Sequence, residues 1–328
     1  MMKIVAAIPC KERYKEWLSN VVHGQAEIVF VQPSEITEEI IADADVIIGN
    51  PPRRMMKAAK QLKWLQTVSA GVEGYVQCED FPKDAMLTNM TGAFGCIIAE
   101  YVMAGVLSMY RRLFDYKKQQ EKRLWQDAGS ELMLMDKQVL ILGAGDIGEE
   151  TAKRMAAFGA HVIGIRRVVR EVPDAFERMA TLEQIDGLLG EADIVVGCLP
   201  HTSATVHILD ERRLRLMKKG ALFVNVGRGS LVDTEALVKV LEEGHIMGAV
   251  LDVMEVEPLP QDHPLWEMKQ VLLTPHVSGK SFGHVRQVEE KIIRICCENL
   301  KRYLQGQPLK NVVGREFGYA DYRDRGKN

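Results

Sequence analysis

Four polar residues in the C-terminal half of the chain each follow an apolar run that predicts a β-strand. Arg228 lies in NVGRGS, Asp252 and Glu257 lie in LDVMEVEPLP, and His276 lies in LTPHVSG. In an open parallel sheet, ligands bind beyond the carboxyl ends of the strands, so these side chains should converge on one ligand. Their types suit hydride transfer to or from a carbonyl carbon.

Three of these residues match the needs of that reaction. Hydride addition to a ketone leaves negative charge on oxygen, and a protonated His276 could donate to it, because histidine gains and loses its proton near neutral pH. Glu257 would favour the charged imidazole and fix its orientation. Arg228 would bind a substrate carboxylate with two parallel hydrogen bonds. Plainer interpretations stay open: a surface ion-pair partner, a solvated loop acid and a structural histidine, respectively.

A glycine-rich loop upstream indicates the source of the hydride. Gly143, Gly145 and Gly148 form a G-x-G-x-x-G pattern between the predicted strand QVLIL and the predicted helix DIGEETAKRMAAFG, and the strand HVIGI follows. A complete strand–helix–strand unit of this length is typical of dinucleotide binding, with the pyrophosphate at the helix N-terminus. The alternative is a glycine-rich turn without a ligand.

The strand that ends in VIGIRR indicates which dinucleotide binds. An NAD-binding unit usually carries an acidic residue about 20 residues past the glycines, where it binds the ribose hydroxyls. This chain has Arg166 at that place, and the adjacent Arg167 could share its role. Arginine would bind a 2′-phosphate instead, which predicts a preference for NADP(H), with NAD(H) still usable. Arg170 is a further candidate, and a solvated basic turn is the alternative.

Composition and length place these motifs in a two-domain α/β protein. The chain has 328 residues, 47% of them hydrophobic and 27% charged, with a formal net charge of −3. That length predicts about two domains, and the charge gives no reason to expect nucleic acid or membrane partners. The six cysteines lack a Cys-x-x-Cys spacing, so we expect reduced thiols, a cytoplasmic location and no metal site.

Alternation of apolar runs and helical patterns predicts the elements that carry the motifs. The first part of the chain predicts the strands KIVAAI, EIVFV, DVIIGN and LKWLQTV, with KERYKEWLSNV and SEITEEIIADA as helices and Ser34 as the N-cap of the second. A long apolar helix, AFGCIIAEYVMAGVLSMYRRLF, is predicted to cross between the domains. The last helix is predicted over SFGHVRQVEEKIIRICCENLKRYLQG.

The motifs GAGDIG, NVGRGSLVD, LDVMEVEPLP, HPLW and LLTPHVSG occur in the order and spacing of one known family. Along nearly its whole length the chain resembles the D-isomer-specific 2-hydroxyacid dehydrogenases, and most of all their glyoxylate/hydroxypyruvate reductase branch. The resemblance implies a discontinuous flavodoxin-like substrate domain (residues 1–95 and 282–328) and a Rossmann doubly wound parallel-sheet cofactor domain (residues 96–281). It also implies an active site in the cleft between them and a homodimer.

The resemblance also assigns roles to residues. The catalytic set is Arg228, Glu257 and His276, and Asp252 matches the residue that hydrogen-bonds the nicotinamide carboxamide. The backbone N–H groups of Ala70, Gly71 and Val72 would hold the substrate carboxylate with Arg228, although a simple turn is the alternative there. The full predicted cofactor set is Gly143, Gly145, Asp146, Ile147, Gly148, Arg166, Arg167, Leu199, Pro200, Val226, Gly227, Asp252, His276 and Gly279.

Two further residues are assigned less directly. Trp125, in KRLWQD, resembles an aromatic residue that some relatives contribute to the site of the partner subunit, and a core aromatic is the alternative. Cys96 lies in a segment, NMTGAFGCIIAE, that departs from the usual proline-containing version. Because the chemistry needs no nucleophilic cysteine, Cys96 is assigned to packing.

These residues predict reduction of a small 2-keto acid, such as glyoxylate or hydroxypyruvate, by NADPH. Two other functions stay open. One is oxidation of formate or phosphite on the same scaffold; formate dehydrogenases of the superfamily carry glutamine where this chain has Glu257, which argues against formate. The other is a non-catalytic protein that senses dinucleotides, as some transcriptional corepressors with this fold do. The intact set of Arg228, Glu257 and His276 favours an enzyme.

Overall fold

The computed structural model describes residues 1–9, 11–169, 171–315 and 318–320. The chain forms two compact units, one of residues 1–94 and 280–328 and one of residues 95–279. The placement of the functional domain boundaries at 95/96 and 281/282 stays a prediction. None of the described helices is both long enough and apolar enough to cross a membrane.

The first unit is built on a five-stranded parallel sheet. Its strands are β1 (Met2–Ala7), β2 (Ala26–Val31), β3 (Val46–Gly49), β4 (Trp64–Gln66) and β5 (Met86–Thr88). The helices in this part are α1 (Glu12–Val22), α2 (Glu38–Ile41) and α3 (Glu73–Val76). The spatial order β2-β1-β3-β4-β5 is the flavodoxin-like order. The predicted flavodoxin-like fold of this unit is therefore confirmed.

The second unit contains a seven-stranded parallel sheet. Its helices are α4 (Gly95–Tyr110), α5 (Leu113–Glu121), α6 (Asp146–Ala157), α7 (Ile185–Leu189), α8 (Glu211–Leu216) and α9 (Thr234–Glu242). Its strands are β6 (Gln138–Leu142), β7 (His161–Ile165), β8 (Arg178–Ala180), β9 (Ile194–Gly197), β10 (Leu222–Asn225), β11 (Gly248–Leu251) and β12 (Val271–Leu273). The order β8-β7-β6-β9-β10-β11-β12 is doubly wound, as predicted, and reverses between β6 and β9.

The chain then returns to the first unit. Helix α10 (Arg286–Leu304) packs on α1, and the short strands β13 (Val313–Gly314) and β14 (Tyr319–Ala320) pair in antiparallel fashion. The predicted start of the last helix at residue 281 is wrong, because Gly283 adopts φ +78° and Val285 is extended. The side chain of Glu289, in the first turn of α10, accepts from the Gly283 N–H at 2.7 Å.

The predicted N-cap at Ser34 is also wrong. Residues 33–35 form a 3₁₀ turn that starts at Pro33, and Ile36 is extended, so the helix cannot begin there. Helix α2 begins after Thr37, whose side chain accepts from the Ile40 N–H at 3.4 Å. A threonine before two acidic residues is an equally good capping signal, and the proline decides between the two positions.

Helix α4 is the long apolar helix that the sequence predicts, and it is part of the second unit. It buries Ile98, Val102 and Val106 on one face. Gly105 allows it to approach β11 closely, since a Cβ at that position would lie 2.7 Å from Cγ1 of Val250. Tyr101 is half-buried on the same helix.

Candidate active site

The three glycines of the predicted dinucleotide loop meet different steric demands. Gly143 has φ +105°, and a Cβ there would lie 2.8 Å from the main-chain carbon of Cys198, just past β9. A Cβ on Gly148 would lie 2.3 Å from the carbonyl oxygen of Gly143. Gly145, the N-cap of α6, has no atom within 4 Å of such a Cβ. Two glycines are thus needed for packing, and the third leaves open space at the helix N-terminus.

That open space fits the pyrophosphate of a dinucleotide. It lies at the sheet's reversal point, beside the positive end of a 12-residue helix. Asp146 and Ile147 form the first turn of α6, and the Asp146 carboxylate accepts from the Gly95 N–H at 3.0 Å. The residues predicted from the sequence therefore form a loop that could hold NAD(P).

Arg166 has a structural role that the sequence does not reveal. Its Nε donates to the carbonyl oxygen of Ala144 at 2.6 Å, and its Nη2 donates to the Glu149 carboxylate. The Arg166 side chain is only 14% exposed, whereas Arg167 is exposed. Arg166 thereby fixes the glycine loop to α6. Arg170, the third candidate, lies outside the described residues.

The loops after β9 and β10 pack against each other. A Cβ on Gly227 would lie 2.8 Å from the carbonyl oxygen of Leu199, so the Val226–Gly227 and Leu199–Pro200 segments are neighbours. Asn225, fully buried at the end of β10, donates from Nδ2 to the carbonyl oxygen of Arg228 at 2.9 Å. Its Oδ1 accepts from the Gly227 N–H at 3.2 Å. Asn225 therefore sets the turn that carries Arg228.

Arg228 is half-buried at the carboxyl edge of the sheet. Its Nη1 donates to the carbonyl oxygen of Gly227 at 2.7 Å. The next residue, Gly229, touches the loop after β11 so closely that a Cβ would lie 1.9 Å from the main-chain carbon of Met254. The loop with Arg228 is thus fixed against the loop that leads to Glu257.

The loop after β12 is wrapped around Asp252. This side chain is 1% exposed, and its carboxylate accepts from the Thr274 hydroxyl at 2.6 Å, the Val277 N–H at 2.8 Å and the Ser278 N–H at 2.9 Å. Its main-chain oxygen accepts from the His276 N–H at 2.8 Å. The predicted contact of Asp252 with nicotinamide stays a prediction, and the structure adds that Asp252 organises the loop with His276.

His276 and Glu257 form a hydrogen-bonded pair. Nδ1 of His276 lies 2.9 Å from Oε2 of Glu257, and Oε1 of Glu257 accepts from the Met254 N–H at 3.0 Å. Because a carboxylate only accepts, Nδ1 carries the hydrogen of this bond, and Nε2 is the ring nitrogen that could exchange a proton with a bound molecule. His276 is 52% exposed. The geometry favours an acid–base pair over a structural histidine and a solvated acid.

In the first unit, the loop after β4 presents two backbone N–H groups. Asn89 donates from Nδ2 to the carbonyl oxygen of Ala70 at 2.8 Å, and the Ser69 hydroxyl donates to the carbonyl oxygen of Gly71 at 2.9 Å. In a trans peptide the N–H points away from the C=O. The N–H groups of Gly71 and Val72 therefore point away from Asn89 and Ser69, and their binding of a carboxylate stays a prediction.

One expectation for another side chain is wrong and one alternative is excluded, while the contribution of Trp125 to the site of a partner subunit stays a prediction. Cys96 does not pack in the core: it is exposed in the first turn of α4, and its Sγ lies 3.3 Å from Oε2 of Glu150. Trp125 is not a core aromatic, because it is 102% exposed and lies beyond the end of α5. The polar neighbour Glu150, in α6, accounts for the exposed position of Cys96. The non-helical segment that contains Trp125 accounts for the exposure of that side chain.

Comparisons with known proteins identify relatives of this chain. Residues 103–278 match the profile of the D-isomer specific 2-hydroxyacid dehydrogenase, NAD binding domain. The glyoxylate reductase of Thermofilum pendens is 32% identical over 267 residues, which cover 80% of this chain and 78% of that protein.

Two solved structures extend the similarity over the whole chain. A D-isomer specific 2-hydroxyacid dehydrogenase family protein from Aeromonas salmonicida is 32% identical with a TM-score of 0.85, covering 96% of this chain and 99% of that one. A D-isomer specific 2-hydroxyacid dehydrogenase from Xanthobacter autotrophicus, solved with NADPH and MES, is 28% identical with a TM-score of 0.82. The similarity to the Xanthobacter autotrophicus structure covers 97% of this chain and 99% of that one.

Proposed function

The chain belongs to the D-isomer specific 2-hydroxyacid dehydrogenase family, NAD(P)-dependent oxidoreductases, and from that premise we propose that it reduces a small 2-keto acid with NADPH. Glyoxylate and hydroxypyruvate are the proposed substrates, supported by the similarity to a glyoxylate reductase. The observation that carries the proposal is the hydrogen bond between His276 and Glu257 at the sheet edge that also bears the glycine loop.

The proposed reaction divides the work among three side chains. When bound, NADPH supplies the hydride that adds to the carbonyl carbon. His276 holds a proton at Nε2 and transfers it to the carbonyl oxygen as charge develops there. Glu257 orients the imidazole through Nδ1 and stabilises its charged form. Arg228 binds the substrate carboxylate and adds positive potential beside the oxygen.

We extend the proposal to the substrate carboxylate. The N–H groups of Gly71 and Val72 are its proposed donors, since the two carbonyl groups of the same peptides are bound to Asn89 and Ser69. The role of Ala70 is then to accept from Asn89 through its carbonyl group and thereby orient the Gly71 N–H. Gly279, at the end of the second unit, stays a predicted cofactor neighbour.

The preference for NADPH is proposed to depend on Arg166 and Arg167. Arg166 already donates to Ala144 and Glu149, so a 2′-phosphate would share this guanidinium with the Glu149 carboxylate. Arg167 is exposed beside it, and we expect Arg167 to supply the larger part of the phosphate affinity.

A homodimer is proposed as the working assembly. Large apolar side chains are exposed in the segment after α5 and at the end of α6: Leu124, Trp125, Met133, Met135 and Phe158. We propose that these side chains belong to the dimer interface, because exposed apolar patches mark protein–protein contacts. The cytoplasmic location stays a prediction.

Initial rates on a substrate panel test the proposed function. Glyoxylate, hydroxypyruvate, pyruvate and bulkier 2-keto acids are offered with NADPH and with NADH, and phosphite is offered with NADP⁺ and NAD⁺. We expect the highest kcat/KM for glyoxylate or hydroxypyruvate with NADPH. Turnover of phosphite alone would replace the proposal with phosphite oxidation. NADPH binding without turnover of any substrate would indicate a sensing protein.

A further inference from the structure

A chain of three hydroxyl and carboxyl groups leads from helix α4 to the loop with His276. The Tyr101 hydroxyl lies 2.6 Å from Oγ1 of Thr274, and Thr274 donates from Oγ1 to Oδ1 of Asp252 at 2.6 Å. All three residues belong to the second unit. Neither Tyr101 nor Thr274 is required by the reaction proposed above.

The direction of these hydrogen bonds follows from their chemistry. Thr274 has one hydroxyl hydrogen, and that hydrogen is used in the bond to the Asp252 carboxylate. Tyr101 must therefore donate to Thr274. Burial raises the pKa of Tyr101 to about 12, against a smaller lowering by Thr274, so the phenol keeps its proton at every working pH.

This series of hydrogen bonds ends at the Asp252 carboxylate, which shapes the loop that carries His276. Thr274, which precedes His276, donates to the Asp252 side chain, and so do the N–H groups of Val277 and Ser278, which follow it. The His276 N–H donates to the main-chain oxygen of Asp252. His276 itself has φ +52°, in the left-handed region that costs a non-glycine residue free energy. Such a conformation persists only where surrounding contacts hold it, and the contacts to Asp252 are among those that do so.

We propose that Tyr101 is a positioning residue that acts through Thr274 and Asp252 to hold His276 in its reactive orientation. By occupying one lone pair of the Thr274 hydroxyl, Tyr101 fixes the rotamer in which that hydroxyl donates to Asp252. Hydrogen bonds in such a chain polarise and strengthen one another, and a buried carboxylate depends on every donor that it has. The catalytic part of this proposal rests on the proposed function; the positioning part does not.

Four variants and one control test the proposal. Tyr101→Phe removes only the first hydroxyl, Thr274→Val removes the relay, and the double variant removes both. Thr274→Ser keeps the relay hydroxyl. Tyr110→Phe is the control, because it removes a buried hydroxyl from the same helix. Burial, with a smaller effect of Asp193, raises the pKa of the Tyr110 hydroxyl.

Amide hydrogen exchange of the 274–279 segment measures positioning without any turnover. We expect Tyr101→Phe to speed exchange at Val277 and Ser278 by roughly 5- to 10-fold, the effect of losing one hydrogen bond. Thr274→Ser and Tyr110→Phe should exchange like the wild type. Wild-type protection in Tyr101→Phe would overturn the proposal, whether or not the protein reduces keto acids.

Steady-state rates measure the catalytic consequence. We expect Tyr101→Phe to lower kcat by roughly 5- to 10-fold with the KM for the keto acid within about twofold of wild type, because the substrate anchors stay in place. The double variant should be no slower than Thr274→Val alone, and Thr274→Ser should restore kcat. If the loss of kcat in the double variant were the product of the losses in the two single variants, Tyr101 would not act through Thr274. A changed KM with unchanged kcat would show the same.

Discussion

At the scale of single residues, the account depends on the charge of Glu257. The carboxylate lies 2.9 Å from Nδ1 of His276 and is fixed on its other oxygen by the Met254 N–H. A glutamine of the same shape would lose the stabilisation of the charged imidazole. Because it has only one acceptor oxygen, it could also keep only one of these two hydrogen bonds.

Glu257→Gln is expected to lower kcat for keto acid reduction by roughly 5-fold or more, since a charge-assisted hydrogen bond contributes about 1 kcal/mol more than a neutral one. Stopped-flow rates of NADPH oxidation under single-turnover conditions measure this loss. Glu255→Gln, two residues away and paired with His207, is the matched control and should keep the wild-type rate. Equal rates for Glu257→Gln and the wild type would remove Glu257 from the mechanism.

The two arginines at the end of β7 give a second prediction at this scale. Arg167→Gln should weaken binding of 2′,5′-ADP by about 10-fold or more and leave 5′-AMP unchanged, because only the former carries the 2′-phosphate. Arg166→Gln should weaken both ligands, because the glycine loop loses its hydrogen bond from Arg166 to Ala144. Calorimetric titration measures both affinities. If only Arg166→Gln lost affinity, and only for 2′,5′-ADP, the 2′-phosphate would be assigned to Arg166 instead of Arg167.

The sequence predicts the polar residues of the site better than it predicts their partners. Arg228, Glu257 and His276 are recognisable because each follows an apolar strand in a known order. Asn225, Asn89 and Tyr101 are not, because each acts on a residue whose position depends on the folded chain. Asn225 carries the clearest signal that was missed, a polar residue at the end of an apolar run.

At the scale of elements, the loops after β10 and β11 hold each other in place. Gly229 has no room for a side chain, since a Cβ would overlap the backbone at Met254 and Glu255. Backbone atoms cannot yield as the end of a side chain can, so the contact fixes the distance between the loops that carry Arg228 and Glu257.

Gly229→Ala is therefore expected to lower the free energy of unfolding by about 2 kcal/mol or more and to reduce activity, since overpacking distorts both loops. Denaturant unfolding measures the first effect. Gly187→Ala in α7 is the control, because nothing lies within 4 Å of its Cβ and its φ is unexceptional. A Gly229→Ala protein as stable as Gly187→Ala would contradict the steric argument.

Elements with strong apolar periodicity are the ones that the sequence predicts. The long strands and helices α1, α4 and α6 are found close to where the pattern places them. Strands β5 and β8, three residues each, are missed because Met86 and Arg178 are exposed at their starts and the runs are too short to show a period. The start of α10 is missed because Gly283 alone does not mark where the backbone turns.

At the scale of the whole molecule, each unit has its own sheet and its own apolar core. The alternation of strands and helices, which the sequence reveals, predicts that each sheet is parallel. The flavodoxin-like topology of the first unit is predicted only from the family resemblance. The exposure of the apolar side chains after α5 is visible only in the folded chain, because apolar residues are expected in a core from the sequence alone. They are the basis of the homodimer proposal.

Replacing two of these side chains tests the assembly. We expect the wild type to sediment as two chains, and the double variant Trp125→Ser, Met133→Ser to shift toward one chain at micromolar concentration. Trp266→Ser, which removes a second exposed tryptophan of the second unit, is the control and should stay dimeric. A wild type that sediments as a single chain would refute the homodimer.

The central claim is that His276 gives the proton that accompanies hydride transfer. The most direct measurement is the single-turnover rate of NADPH oxidation with glyoxylate or hydroxypyruvate in the wild type and in His276→Ala, with the NADPH Kd measured on the same samples. The account predicts a loss of roughly 10²- to 10⁴-fold in rate with an unchanged Kd. A His276→Ala protein that turns over near the wild-type rate would contradict it.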